Sequence, residues 1–205
     1  MSYCNWEHTS AVNQKYHDTV WGIPIHDDIK QFEYLCLEVM QCGLSWDIII
    51  NKREVLRSSF DGFDFKKVSA YTSQNVAKIM QTDGMIKSVR KIEAIISNAK
   101  CFQKIRAEFG SFDAYLWRYS NNKTILYQNH ENGFIPVSNG LSAQISRDLK
   151  KRGFKFLGPI TVYSHLQACG IINDHDKHCT RYAYINKHYP TEHKSCEDEV
   201  GTQHF

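Results

Sequence analysis

Apolar residues recur at threes and fours along most of the chain, so the pattern predicts a mostly α-helical protein. Asp27 and Asp28 are good N-cap residues and open a helix over Ile29–Cys42, whose stripe is Phe32, Leu35, Cys36, Val39 and Met40; Gly43 ends it. The strongest periodicity starts at Val89 and runs through Ile92, Ile95, Ile96, Ala99 and Phe102. A shorter segment, Gln74–Gln81, points Val76, Ile79 and Met80 one way. Asp113–Tyr119, Leu141–Lys151 and Ile160–Cys169 complete the helical set, the last behind Pro159, which a first turn tolerates. The stretch 121–140, rich in Asn and Gly, reads as irregular with room for one short extended piece, and from Lys187 onward the chain looks too polar to pack.

Composition narrows the class. With 205 residues, 42% hydrophobic and 13% aromatic, the chain closes a substantial core over 1–186, expected as one domain of two helical lobes sharing that core, followed by a polar tail over 187–205. Twenty-five Lys+Arg against 22 Asp+Glu give a formal charge of +3, which excludes a disordered polyelectrolyte and permits nucleic-acid binding without requiring it. No run reaches the ~18 apolar residues of a membrane helix, and the first residues lack the blocks of a secretory signal, so no membrane partner and a cytoplasmic location are expected. Seven cysteines are an odd number, and Cys36, Cys42, Cys101 and Cys169 sit in helix-like apolar surroundings, which argues against a disulfide framework. A monomer is expected: the short basic group of Lys87, Arg90, Lys91, Lys150, Lys151 and Arg152 offers no self-complementary seam.

Three constellations carry chemistry. Val76–Met80, the turn Thr82-Asp83-Gly84-Met85-Ile86 and the helix opening at Val89 form a helix, tight turn and helix, with Lys87, Arg90 and Lys91 beside the N–H groups of the second helix start. Such a corner can grip a phosphate; its alternative is an ordinary two-helix turn with solvated lysines. Cys4 and His17 near one end, with His175 and Cys179 near the other, suit a tetrahedral zinc that staples the termini and leaves no open position; His178 is a rival ligand, and unrelated residues are the alternative. Third, Trp6, Tyr16, Trp21 and Trp46 flank Glu38, which borders the apolar stripe of its helix. Aromatic walls around one carboxylate fit a flat cationic base, whereas the alternative is core tryptophans with Glu38 paired to a neighbouring Lys or Arg.

Together these blocks resemble the 3-methyladenine DNA glycosylase I family. The resemblance is carried by Cys4-x-Trp6, Tyr16-His17-Asp18, Trp21-Gly22-x-Pro24, Leu37-Glu38, Gln41-x-Gly43-Leu44-Ser45-Trp46, Lys52-Arg53-Glu54, Ile92-Glu93-Ala94-Ile95 with Asn98-Ala99, the run Leu149–Gly158, and Asn173-x-His175. It implies a helix-hairpin-helix DNA glycosylase fold with a structural Zn2+ on Cys4, His17, His175 and Cys179. It also implies a base pocket of Tyr16, Trp21, Glu38 and Trp46 with Trp6 close by, and a segment inserted into DNA at Gln41, Gly43 and Leu44, where Leu44 is the wedge and the small Gly43 allows close approach. The implied partner is double-stranded DNA containing N3-methyladenine, in a bacterial nucleoid. The implied activity is base release without strand cleavage, Glu38 acting electrostatically as the catalytic carboxylate and Lys87, Arg90 and Lys91 facing the backbone. Ser88-Val89, Asp47 and Asn51 depart from the family's usual residues by removing positive or adding negative charge, which predicts weaker DNA binding and keeps open a non-catalytic, zinc-stapled DNA-binding homologue.

Overall fold

The computed structural model describes residues 4, 10–128 and 135–195. Trp6 and the last ten residues lie outside them, so the part expected of Trp6 is not addressed by the structure. Eleven α-helices and two short strands follow one another among the described residues: α1 (Ala11–Thr19), α2 (Asp28–Gln41), α3 (Trp46–Asn51), α4 (Arg53–Ser59), α5 (Phe65–Ser69), α6 (Ser73–Gln81), α7 (Val89–Phe109), α8 (Phe112–Trp117), β1 (Thr124–Tyr127), α9 (Gly140–Lys151), α10 (Pro159–Ala168), α11 (Thr180–His188) and β2 (Thr191–Lys194). None of these helices is long and apolar enough to cross a membrane. The long periodic segments fall where the apolar spacing predicts them. The short helices α1, α3, α4, α5 and α11 are too brief for a periodicity to show.

The chain divides into two compact units, 26–115 with 147–157 in one and the described parts of 1–25, 116–146 and 158–205 in the other. In the first unit α2 is buried on all sides from Gln31 to Met40, the pattern of a central helix rather than an amphipathic surface one. Asp27 caps it, its carboxylate accepting from the Lys30 N–H at 2.8 Å. Phe102 of α7 stacks on Phe112 with ring centroids 4.1 Å apart and meets Phe32 and Phe65 at 5.2 and 4.9 Å, so aromatic packing fills this core. Asn98 ties α7 to the chain after α9 by exchanging two hydrogen bonds with the Lys155 backbone, at 2.8 and 3.0 Å.

In the second unit the extended piece expected in 121–140 is β1, a buried Thr-Ile-Leu-Tyr run of β-formers. It pairs in parallel with β2, Thr124 opposite Thr191 and Tyr127 opposite Lys194. That corrects the expectation for the tail: residues 187–188 finish α11 and 191–194 form a strand, although Thr-Glu-His-Lys is polar. Backbone hydrogen bonding to an apolar strand needs no apolar side chains, and polar and charged residues suit a half-buried strand such as this one. On its other side β1 bridges Ile172, and Asn173 N–H donates to the Ile125 carbonyl at 3.0 Å, which fixes the approach to His175. Among the described cysteines none is in a disulfide; Cys36, Cys101 and Cys169 are buried and Cys42 is half-buried.

Candidate functional site

Two groups of candidate side chains stand out, one in each unit. In the second unit Ser10 caps α1 by accepting from Asn13 N–H at 3.2 Å, which places Tyr16 and His17 in its last turns. Cys4, His17, His175 and Cys179 converge there, all buried, with their ligand atoms within 4.8 Å of one another. Cys179 Sγ lies 3.7 Å from His17 Nε2 and 3.7 Å from His175 Nδ1, Cys4 Sγ lies 3.8 Å from His175 Nδ1, and the two imidazole nitrogens are 3.1 Å apart. Zinc bonds of about 2.3 Å to sulfur and about 2.0 Å to nitrogen put tetrahedral neighbours roughly 3.3–3.8 Å apart; the four separations above lie near that spacing, and the widest pair, at up to 4.8 Å, would draw together around such an ion.

The outer hydrogen bonds decide the tautomers. A carbonyl only accepts, so His175 donates from Nε2 to the Trp21 carbonyl at 3.1 Å, and His17 donates from Nδ1 to Asp18 Oδ1 at 2.8 Å. Each ring therefore aims its lone pair inward at the other. Two facing lone pairs repel unless a cation lies between them, and this outer arrangement is the one metal-bound histidines make. Asp176 N–H also donates to Cys4 Sγ at 3.4 Å. Hydrogen bonding with Cys4, and from the Arg181 backbone N–H, holds the Cys179 thiol well below its usual range. His178 is exposed and does not belong to the cluster.

Trp21 packs edge-on against His175, centroids 4.5 Å apart, and stacks at 6.1 Å with His17. Its neighbour Gly22 has φ 78°, and a Cβ there would sit 2.9 Å from His175 Nε2. Gly22→Ala is expected to displace that imidazole and lower Tm by roughly 5 °C or more, readable in a thermal melt beside a metal assay. The residues were legible in Trp21-Gly22-x-Pro24; the reason for the glycine was not.

In the first unit α2 buries two carboxylates with opposite treatment. Glu33, 3% exposed, accepts from Arg53 Nε at 2.7 Å and lies 3.4 Å from Arg57. Glu38, 5% exposed, has no hydrogen bond or ion pair to its carboxyl group among the described residues, and burial pushes it up to about 8. The neighbouring-cation alternative weighed for Glu38 thus holds for Glu33 instead, and gives Arg53 of Lys52-Arg53-Glu54 its task. Trp46, half-buried, opens α3 behind Ser45.

Between α2 and α3 the chain turns at Gln41-Cys42-Gly43-Leu44. Leu44 N–H donates to the Gln41 carbonyl at 2.6 Å, Cys42 has φ −44° and ψ 111°, and Gly43 has φ 78°. These are the angles of a type II turn, which wants glycine third. No atom lies within 4 Å of a Cβ built at Gly43, so in the free protein its backbone angle, not space, demands glycine. Leu44 projects outward, 37% exposed.

The basic group divides. Lys87 and Arg90 are exposed at the start of α7 beyond the Gly84 turn. Lys91 is not a surface cation: it is 9% exposed and its ammonium donates to the carbonyls of Met40 and Cys42, both at 2.7 Å. The expectation that it faces DNA is corrected, because one step along a helix turns a side chain by about 100°. Arg152 is likewise held, by Glu108 at 2.6 Å and Asp148 at 3.0 Å.

A family model described as methyladenine glycosylase matches residues 6–182. The chain belongs to that family. It is 39% identical over 182 residues to DNA-3-methyladenine glycosylase 1 of Escherichia coli strain K12, covering 89% of this chain and 97% of the relative. It is 36% identical over 176 residues to DNA-3-methyladenine glycosylase of Haemophilus influenzae, 86% and 95% covered. A solved structure of a tyrosine-to-phenylalanine variant of 3-methyladenine DNA glycosylase I in complex with 3-methyladenine superposes with a TM-score of 0.82 at 37% identity, covering 88% and 97%. As a methyladenine glycosylase relative, this chain is thus matched over nearly its whole described length by proteins of one activity.

Proposed function

We propose that the chain is a DNA-3-methyladenine glycosylase that hydrolyses the N-glycosyl bond of N3-methyladenine in alkylated duplex DNA and leaves the strand intact. The carrying observation is Glu38, a buried carboxyl group that the described protein leaves without a cation. An ionised carboxylate there is strongly disfavoured until a positive charge arrives. Methylation at N3 gives adenine such a charge and weakens its glycosidic bond, so the leaving group needs no proton. Glu38 gives up its proton to solvent and accepts a hydrogen bond from the cationic base; the base leaves as neutral 3-methyladenine with the electron pair of the glycosidic bond, and the water that captures the oxocarbenium-like sugar passes a proton to solvent. Neutral adenine brings no charge and leaves Glu38 protonated, which is discrimination by the charge of the base.

Tyr16, Trp21 and Trp46 are the aromatic residues we assign to base recognition, and Gln41, Gly43 and Leu44 to the space the base vacates. The α6–turn–α7 segment, with Lys87 and Arg90 at its corner, is assigned as a helix-hairpin-helix grip on the phosphate backbone. Cys4, His17, His175 and Cys179 would hold zinc, whose contribution is to fold the chain ends together; four protein ligands leave it no open position. The test is chemical identification of the base released from randomly methylated duplex DNA. Free 3-methyladenine is expected; DNA binding with no release would make the chain a non-catalytic homologue.

A further inference from the structure

The buried ammonium of Lys91 sits on the one backbone group that sets the shape of the turn before Leu44. In a type II turn the peptide between the second and third residues has a fixed sense, and flipping that peptide gives a type I turn. In Gln41-Cys42-Gly43-Leu44 the carbonyl of that peptide belongs to Cys42, and it is this oxygen that Lys91 holds at 2.7 Å. The same ammonium holds Met40, one of the last carbonyls of α2, where the final turn of the helix carries no basic residue of its own. Cys42 Sγ adds weaker contacts to the Glu38 and Phe156 carbonyls at 3.6 and 3.9 Å. A lysine only 9% exposed and, among the described residues, bonded only to backbone carbonyls is an expensive way to end a helix, since desolvation disfavours its charge.

We propose that Lys91 is a positioning residue for base extrusion: from the first turn of α7 it locks the Cys42–Gly43 peptide and so aims Leu44. This rests on the glycosylase reading of Gln41–Leu44. It also joins the two DNA-facing parts of this unit, because Lys91 follows Arg90 directly on the helix whose start is assigned to the phosphate backbone. Strand separation and backbone grip are thus mechanically one piece.

The test compares Lys91→Met with the unsubstituted full chain on three readouts. The first is single-turnover release from duplex DNA with the lesion paired. The second is release with the lesion opposite an abasic gap, where less stacking and pairing has to be broken. The third is affinity for free 3-methyladenine by tryptophan fluorescence. Lys91→Met is expected to slow release from paired duplex about tenfold or more, to slow release opposite the gap less than about threefold, and to leave free-base affinity within about twofold. Leu44→Ala is expected to show the same selectivity, and the double variant to be no worse than the poorer single, because both act through one wedge. An equal loss on all three readouts, or no loss, overturns the proposal. Should Lys91→Met not fold, Lys91→Arg carries the same comparison: its planar guanidinium keeps the charge but not the single donor point between the two carbonyls. If the unsubstituted protein releases no base, the glycosylase reading itself fails; if it does and Lys91→Met equals it on paired duplex, only this inference fails.

Discussion

Glu38→Gln lowers release of 3-methyladenine by about 100-fold or more and at the same time makes the free protein more stable above neutral pH. The two effects have one cause. The folded protein holds this carboxyl at about 8 through burial, against 4.5 for an unburied group, so the native state binds a proton more tightly than the unfolded chain. Stability from that proton is fully present below about 4.5 and is lost as pH rises towards 8. Integrating the difference gives on the order of 3 kcal/mol at pH 7, an upper figure for what the uncompensated acid costs the empty fold. A glutamine has no such proton to lose. Thermal melts of the two proteins should therefore coincide near pH 4 and diverge by several degrees by pH 8, the variant being higher. The activity of the unsubstituted enzyme measured as kcat/KM should rise with pH through a midpoint near 8 and level off above it as the free carboxyl ionises, a rise absent from the variant. Equal melting temperatures across pH 4–8, or undiminished release, would remove Glu38 from the role given to it.

With the zinc proposed on Cys4, His17, His175 and Cys179, Cys179→Ser should take bound metal from about one per chain to near none and lower Tm by about 10 °C or more. The serine hydroxyl is a poor ligand, and its loss leaves the lone pairs of His17 and His175, 3.1 Å apart, facing each other with no shared cation. Treatment of the unsubstituted protein with a strong chelator should reproduce the fall. Because a closed four-ligand shell supplies no chemistry, the folded fraction of the variant at low temperature should still release base. His178→Ala should leave metal and Tm unchanged. Full zinc occupancy in Cys179→Ser, measured by elemental analysis, would mean that the ligand set is wrong.

Glu33 and Glu38 show where reading residues in order stops. Both lie on α2 among apolar neighbours, and nothing in their spacing says which is neutralised; Arg53 and Arg57 reach Glu33 from α4, twenty and more residues on. Lys91 shows the same limit in the other direction, since it stands in a basic run with Lys87 and Arg90 and only packing against the end of α2 hides it. The resemblance to glycosylases names candidate site residues, yet a motif carries identity and spacing, not the partner that gives a charged group its work.

What the sequence determined by itself was the helical class, the long helices α2 and α7, the residues able to bind metal and the family. These follow from periodicity, from side-chain chemistry and from motifs in order, all of which are local properties. Only the tertiary structure decided that a polar segment near the chain end becomes a strand beside β1, that Lys91 faces inward, and that the carboxyl group of Glu38 is left without a partner among the described residues. Those outcomes depend on which groups meet across long sequence separations, and burial turns each meeting into a large energy: a charge that finds a partner is silent, and one that does not is poised to take a ligand.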